Sequence, residues 1–329
     1  MKFLVAASIF FILTLGLIFI LSEREVQPMA SVPDFSAEAC VPSTAQPGTG
    51  LLGLAALSVA EPEAQALIVD LAVSLVRVEF RWDYIQPAKG EYDWEKYDEI
   101  VDTLVQNNVS ILATVNHAPV WAHPIETLAD DFGVFLEAFV VRYGDRIDLY
   151  EIFNEPNLPG YGWAFESGDV QYDAKLFASI LVKANQVIRD QSLDALIISG
   201  GLSPDNDPRT FTKHMYEFVA ADCFDIFSFH PYGRGERLVA VQTQWETYLA
   251  ELGDSGKPVW FAEFGTSDEE TTATVLRQLD GQMDELNAVI WFSLRDLKPT
   301  GWNFGLVEHD WQKKPAYDQF KKIVQNYSQ

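Results

Sequence analysis

From about residue 50 the chain alternates between two kinds of apolar pattern. One recurs every three to four residues, as the buried stripe of a helix does. Trp94, Tyr97, Ile100, Val101, Leu104 and Val105 mark such a face, with Asp93 placed to cap it. Phe132, Phe135, Leu136, Phe139, Val140 and Tyr143 mark a second, closed by Gly144. Leu176, Phe177, Ile180, Leu181, Ala184, Val187 and Ile188 mark a third, and Pro315 opens a last helix carrying Tyr317, Phe320, Ile323 and Val324. The other pattern is a short continuous apolar run, found near 51–56, 73–80, 109–116, 147–153, 195–200, 224–229, 258–263 and 288–293. Stretches such as "LIIS", "DIFSF", "PVWFA" and "AVIWFS" suit parallel strands covered on both faces.

Eight strands alternating with helices over about 275 residues have the size and rhythm of a (β/α)8 TIM barrel, an α/β fold. A doubly wound open sheet would use fewer units. The catalytic domain is expected over 49–329. Residues 23–48 are rich in Pro, Ser, Ala and acid without periodicity, and read as a linker. Ahead of them, "FLVAASIFFILTLGLIFIL" behind Lys2 is an unbroken apolar run about as long as a bilayer is thick. Residues 1–22 are therefore expected to be a single-span membrane anchor or a signal peptide, which would leave the remainder extracytoplasmic. In such a setting the only two cysteines, Cys40 and Cys223, are expected to pair.

Charge narrows the partners. Lys and Arg number 23 against 48 Asp and Glu, a net charge of −25. Such a surface argues against nucleic acid and anionic lipid. No metal is implied, because the five histidines are scattered. "GTGLLG" at 48–53 matches a dinucleotide-binding spacing, but no strand precedes it, so no cofactor is expected.

In a barrel of this kind chemistry collects where strands end. Arg77 lies in the second strand; the third ends at Asn116 and His117, with Trp121 just beyond; the fourth ends at Asn154 and Glu155. The sixth ends at His230-Pro231-Tyr232, the seventh at Glu263, and the eighth carries Trp291. Glu155 and Glu263 thus face each other across a mouth lined with aromatics. A carboxylate pair is the minimum equipment for cleaving a glycosidic bond: one protonates the leaving oxygen, the other attacks or stabilises the anomeric carbon. Pro156 stiffens the turn that carries Glu155.

"NEP", "HPY" and "WFAEFG", closing strands four, six and seven in that order, resemble clan A of the retaining glycoside hydrolases. "RVEFRWDYIQPAKGEYDW" (77–94) and "FGLVEHDWQKKPAY" (304–317) resemble its family 39 and family 5 branches. The resemblance covers about residues 70–325. It implies Glu155 as acid/base, Glu263 as nucleophile and Asn154 as partner of the sugar 2-hydroxyl. It implies hydrogen bonds from Arg77 and Tyr232 to the nucleophile, His117 and His230 lining the site, and Trp291 as a sugar platform. Two departures stand out: "TVNHAPVWA" leaves His117 and Trp121 competing for one role, and "LLGLAAL" lacks a polar end to strand one.

The expected substrate is a neutral, β-linked oligo- or polysaccharide. Among the strand-end residues only Arg77 is permanently cationic, although Arg234, Arg237, Arg295 and Lys298 occupy later loops, offset in part by Glu236 and Asp296. Trp82, Trp163 and Trp302 fall in loops, as packing or as stacking surfaces. A non-catalytic glycan-binding protein would show loss of a glutamate, and both are present; a transglycosylase would keep the same residues.

Overall fold

The computed structural model describes residues 32, 40–122, 125–158, 167–219, 221–233, 237–297 and 303–327. All belong to one compact unit, Ser31–Gln329. The N-terminal apolar run, Trp163, Arg234, Glu236, Lys298 and Trp302 lie outside the described residues, so the anchor or signal reading has no structural counterpart here. No helix among the described residues is long and apolar enough to cross a membrane.

The chain runs β1 (Leu51–Ala55), α1 (Pro62–Leu71), β2 (Leu75–Arg81), α2 (Trp82–Ile85), α3 (Glu95–Gln106) and β3 (Ser110–Asn116). It continues through α4 (Leu128–Tyr143), β4 (Leu149–Ile152), α5 (Val170–Gln191), β5 (Leu196–Ile198), α6 (Pro208–Tyr216) and β6 (Phe227–Ser228). It closes with α7 (Leu238–Glu251), β7 (Val259–Phe264), α8 (Glu269–Asp280), β8 (Ala288–Phe292) and α9 (Pro315–Tyr327). All eight expected strands are present and parallel, in the order β5-β4-β3-β2-β1-β8-β7-β6. Bridges Ile198↔Ile226 and Leu202↔Phe229 join β5 to β6, closing the (β/α)8 barrel.

Two apolar layers follow from strand alternation. Ala55, Leu75, Leu112, Leu196, Ile198, Ile226, Trp260, Ala288, Ile290 and Phe292 fill the inside of the barrel. Their neighbours Val76, Val78, Phe80, Ile111, Ala113, Val115, Val289 and Trp291 face the helices, where Phe132, Phe135 and Phe139 of α4 pack. The expected helical stripes belong to this second layer, except Val105, which is exposed on the last turn of α3. Asp93 accepts from Glu95 N at 3.3 Å, while α5 has a full side-chain cap in Asp169, bonded to the amides of Gln171 and Tyr172.

The last part of the expected linker is docked on the barrel. From Cys40 the chain is held against α5 and the segment entering β6. Cys40 and Cys223 form a disulfide with Cα atoms 4.8 Å apart. Val41 N donates to Asn185 Oδ1 at 2.9 Å, Arg189 Nε to Val41 O at 2.8 Å, and Ser43 N to Asp225 Oδ1 at 2.8 Å. These contacts lie at the end of the barrel where β5 and β6 begin, away from the carboxylates.

Denatured, unreduced protein is expected to titrate no free thiol, and two after reduction. Cys223→Ser should cost about 2–4 kcal/mol in denaturant unfolding, since the bridge closes a long loop. Two thiols free without reductant would contradict the pairing.

Candidate active site

At the opposite end, where the strands finish, lies a cavity of about 710 Å³. Arg77, Glu79, Arg81, His117, Asn154, Glu155, Tyr232, Glu263, Phe292 and Phe304 are among its lining residues. β2 contributes Arg77, Glu79 and Arg81, three alternate residues and hence one face of the strand.

The two glutamates enter this space because two strands break the alternation. On β4, Glu151 faces the barrel interior, and strict alternation would place Phe153 there as well. Phe153 instead adopts φ 61° and packs outward on Phe132, with ring centroids 5.2 Å apart. Asn154 and then Glu155, itself at φ 47°, turn into the mouth. Left-handed conformations at non-glycine residues cost energy and persist only where packing enforces them. On β7, Phe261 pairs with Val289 and Phe264 with Trp291, so three steps on β7 span two on β8. This extra residue re-aims the strand and brings Glu263 inward.

Arg77 ties the floor together. Its Nη1 donates to Glu263 Oε1 at 2.7 Å, its Nη2 to Asn154 Oδ1 at 2.7 Å and its Nε to Glu151 Oε2 at 2.6 Å. Glu151 is fully buried and also accepts from Thr114 Oγ1 at 2.7 Å and Gly201 N at 3.2 Å. Burial works to lower the Arg77 pKa, but the carboxylates of Glu151 and Glu263 outweigh it and hold the guanidinium charged. Tyr232 Oη donates to Glu263 Oε2 at 2.7 Å, and burial beside that carboxylate raises the phenol well above its ordinary value.

His230 is buried beneath the glutamates rather than lining the cavity. Its Nδ1 is 3.1 Å from Glu155 Oε1 and 3.7 Å from Glu263 Oε2. Burial works against its charged form, yet the Glu263 charge and the Glu155 contact prevail and raise its pKa. Its ring comes so close to Gly201 that a Cβ there would lie 2.2 Å from Nε2. Only glycine allows that approach, while Gly201 O accepts from Glu155 N at 3.0 Å.

Besides the place of His230, three further expectations need correction. Trp291 is no sugar platform: it faces outward, fully buried, against Phe264 and Phe320. Phe292, one residue later and on the inward face, lines the cavity with Phe304. Trp121 does not line the cavity; its Nε1 donates to Gln86 O at 2.8 Å and its ring edge meets the buried Trp82. His117, at φ 62°, holds that corner instead, 3.0 Å from Glu79 Oε1. Arg77 is not the only cation here, because Arg81 closes β2 and is clasped by Asp83 at 3.0 and 2.7 Å. Arg295 is bound to Glu61 at 2.9 Å.

Glu151, Glu79, Arg81, Phe292 and Phe304 were not singled out from sequence. A signal existed for three of them: an acid inside the apolar run "LYEI", and alternating charges in "RVEFR".

The family model described as cellulase, glycosyl hydrolase family 5, matches residues 50–306. Among solved structures, the chain is similar to a family 39 glycoside hydrolase from Bacteroides cellulosilyticus at 20% identity and TM-score 0.67, over 90% of this chain and 66% of that one. It is similar to a family 39 β-xylosidase from Caulobacter crescentus at 17% identity and TM-score 0.65, over 89% and 74%. A GH5_18 protein from Streptomyces cattleya, in complex with GlcNAc, gives 13% identity and TM-score 0.67, over 86% and 81%. A coniferin β-glucosidase from Pinus contorta is 27% identical over 106 residues, which is 28% of this chain and 20% of that relative.

Because folded His230 titrates above its ordinary value of 6.5, its linkage contribution is fully present below that pH. The contribution is lost as pH rises through the higher folded value. His230→Asn should therefore destabilise the protein more at about pH 5.5 than at about pH 9. Equal melting-temperature losses at both would contradict the linkage.

Proposed function

The chain belongs to the cellulase family, glycosyl hydrolase family 5, and on that premise we propose that it is a retaining glycosidase of a neutral, β-linked glycan. One observation carries the reading: Glu155 and Glu263 meet at a single imidazole nitrogen. Their facing oxygens are at most about 6.8 Å apart, the two distances to His230 Nδ1 laid end to end. Retaining pairs stand about 5–5.5 Å apart and inverting pairs about 6.5–9.5 Å, so this ceiling admits the retaining spacing and leaves only the short end of the inverting range.

The surroundings support distinct roles. Both oxygens of Glu263 accept hydrogen bonds, from Arg77 and Tyr232, as suits a carboxylate aimed at an anomeric carbon. Among the described residues the Glu155 carboxyl has one side-chain hydrogen-bond partner, His230, and is less committed than Glu263. In the first step Glu263 attacks C1 and forms an ester as the C1–O bond breaks, while Glu155 gives its proton to the departing oxygen. In the second, Glu155 takes a proton from water, the water oxygen bonds to C1, and the ester carboxylate leaves. Asn154 Oδ1 is engaged by Arg77, which orients the amide Nδ2 as a donor for the sugar 2-hydroxyl.

The wall of Tyr232, Phe292 and Phe304, with ring centroids 5.6–6.4 Å apart, suits the apolar face of a pyranose. Both lining arginines already carry carboxylate partners, which supports an uncharged substrate. The disulfide supports an extracytoplasmic location, free or membrane-tethered.

Glu155→Ala should lose about 10²–10⁴-fold on unactivated glycosides and far less on dinitrophenyl glycosides, whose leaving group needs no proton. Azide should restore part of the lost turnover. Equal losses on both substrates, without rescue, would remove the acid/base assignment. A 2-deoxy-2-fluoroglycosyl fluoride should label Glu263, located by peptide mapping; a label on another residue would reassign the nucleophile.

A further inference from the structure

β2 presents its three inward charges at increasing depth of exposure: the Arg77 side chain is 4% accessible, Glu79 24% and Arg81 30%. The two arginines are committed. Arg77 spends Nε, Nη1 and Nη2 on Glu151, Glu263 and Asn154, and the Arg81 fork is clasped by Asp83 while lying 3.9 Å over the Tyr84 ring. Glu79 is only half committed. Its Oε1 takes both Asn116 Nδ2, at 3.1 Å, and His117 Nε2, at 3.0 Å. Its Oε2 has no hydrogen-bond partner among the described residues, and the side chain lines the cavity.

Burial works to raise the Glu79 pKa, but the His117 contact and the Asn116 donor outweigh it and hold the carboxyl below its ordinary range. At neutral pH this group is a fixed carboxylate, able to accept hydrogen bonds and not to donate them. A sugar hydroxyl satisfies it; a sugar carboxylate, also acceptor-only and negative, does not.

Building on the retaining-glycosidase reading, we propose that Glu79 is a specificity-determining residue. It accepts a hydrogen bond from a ring hydroxyl of the sugar seated beside Glu263, and excludes uronic acids from that position. Glu79 touches the sugar and takes no part in bond making, so its effect is on which substrate is turned over.

The test uses the 4-nitrophenyl β-glucoside, β-xyloside and β-mannoside, then the monodeoxy analogues of whichever is cleaved fastest. Wild type should lose about 10–100-fold in kcat/KM on one particular analogue, the value expected for a hydrogen bond to a charged group. Glu79→Ala should lose a similar factor on the parent glycoside and no longer discriminate against that analogue, while still discriminating against the others. Glu79→Gln, which keeps the shape and guards against a folding defect, should raise the ratio of β-glucuronide to β-glucoside turnover about 10-fold. Undiminished discrimination by Glu79→Ala on every analogue, or unchanged kcat/KM on the parent, would overturn the proposal. Azide rescue of Glu155→Ala, run in parallel, separates the two readings. Rescue with discrimination intact in Glu79→Ala overturns this inference alone. Discrimination lost without rescue supports Glu79 as a sugar-binding group and overturns only the catalytic assignment.

Discussion

A single buried guanidinium organises the mouth of this barrel. Arg77 reaches three residues on two other strands through three different nitrogens: Glu151 and Asn154 from β4 and its turn, and Glu263 from β7. Burying a cation is costly, and removing one partner of a buried pair typically costs about 3–5 kcal/mol. Here the cost is offset because the two carboxylates bonded to the cation, Glu151 and Glu263, each have further donors, Tyr232 serving Glu263. Glu151 accepts from β3 through Thr114 and from the segment after β5 through Gly201. A displacement of any of these strands would unpair a charge, which is a strong restraint on where Glu263 can stand.

The placement of the two glutamates depends on departures from regular strand geometry. Alternation along β4 and β7 would send Phe153 inward and Glu263 outward. Two left-handed residues at the end of β4 and one extra residue in β7 reverse those directions. Backbone irregularity of this kind carries a cost that only surrounding packing can offset. The Phe153 ring on Phe132 and the Gly201 contacts with Glu155 and His230 supply that packing.

This separates what was legible in the sequence from what was not. The eight strands and the helical stripes were legible because burial imposes a period on the residues themselves. The gathering of residues at the strand ends was legible for Arg77, Asn154, Glu155, Tyr232 and Glu263, all of which line one cavity. Which of two adjacent residues faces inward was not, because it turns on strand phase. Trp291 and Phe292 are equally plausible aromatics in "AVIWFS", and the inward phase of Ala288 and Ile290 selects Phe292. Trp121 failed for another reason: its hydrogen bond to Gln86 and contact with Trp82 are long-range contacts that no local pattern encodes. Glu151, Glu79 and Arg81 carried their signal in the alternation of "LYEI" and "RVEFR", beside residues that drew attention first.

The account as a whole rests on two carboxylates close enough to act in turn on one anomeric centre, with Glu263 forming a bond to carbon. The stereochemistry of the first-formed product reads that directly. Proton NMR of the anomeric signal, followed from the earliest turnovers on an aryl β-glycoside, should show the β-anomer appearing first. The α-anomer should grow in later by mutarotation alone. An α-anomer present from the start would mean inversion, with water attacking in place of Glu263, and would contradict the account.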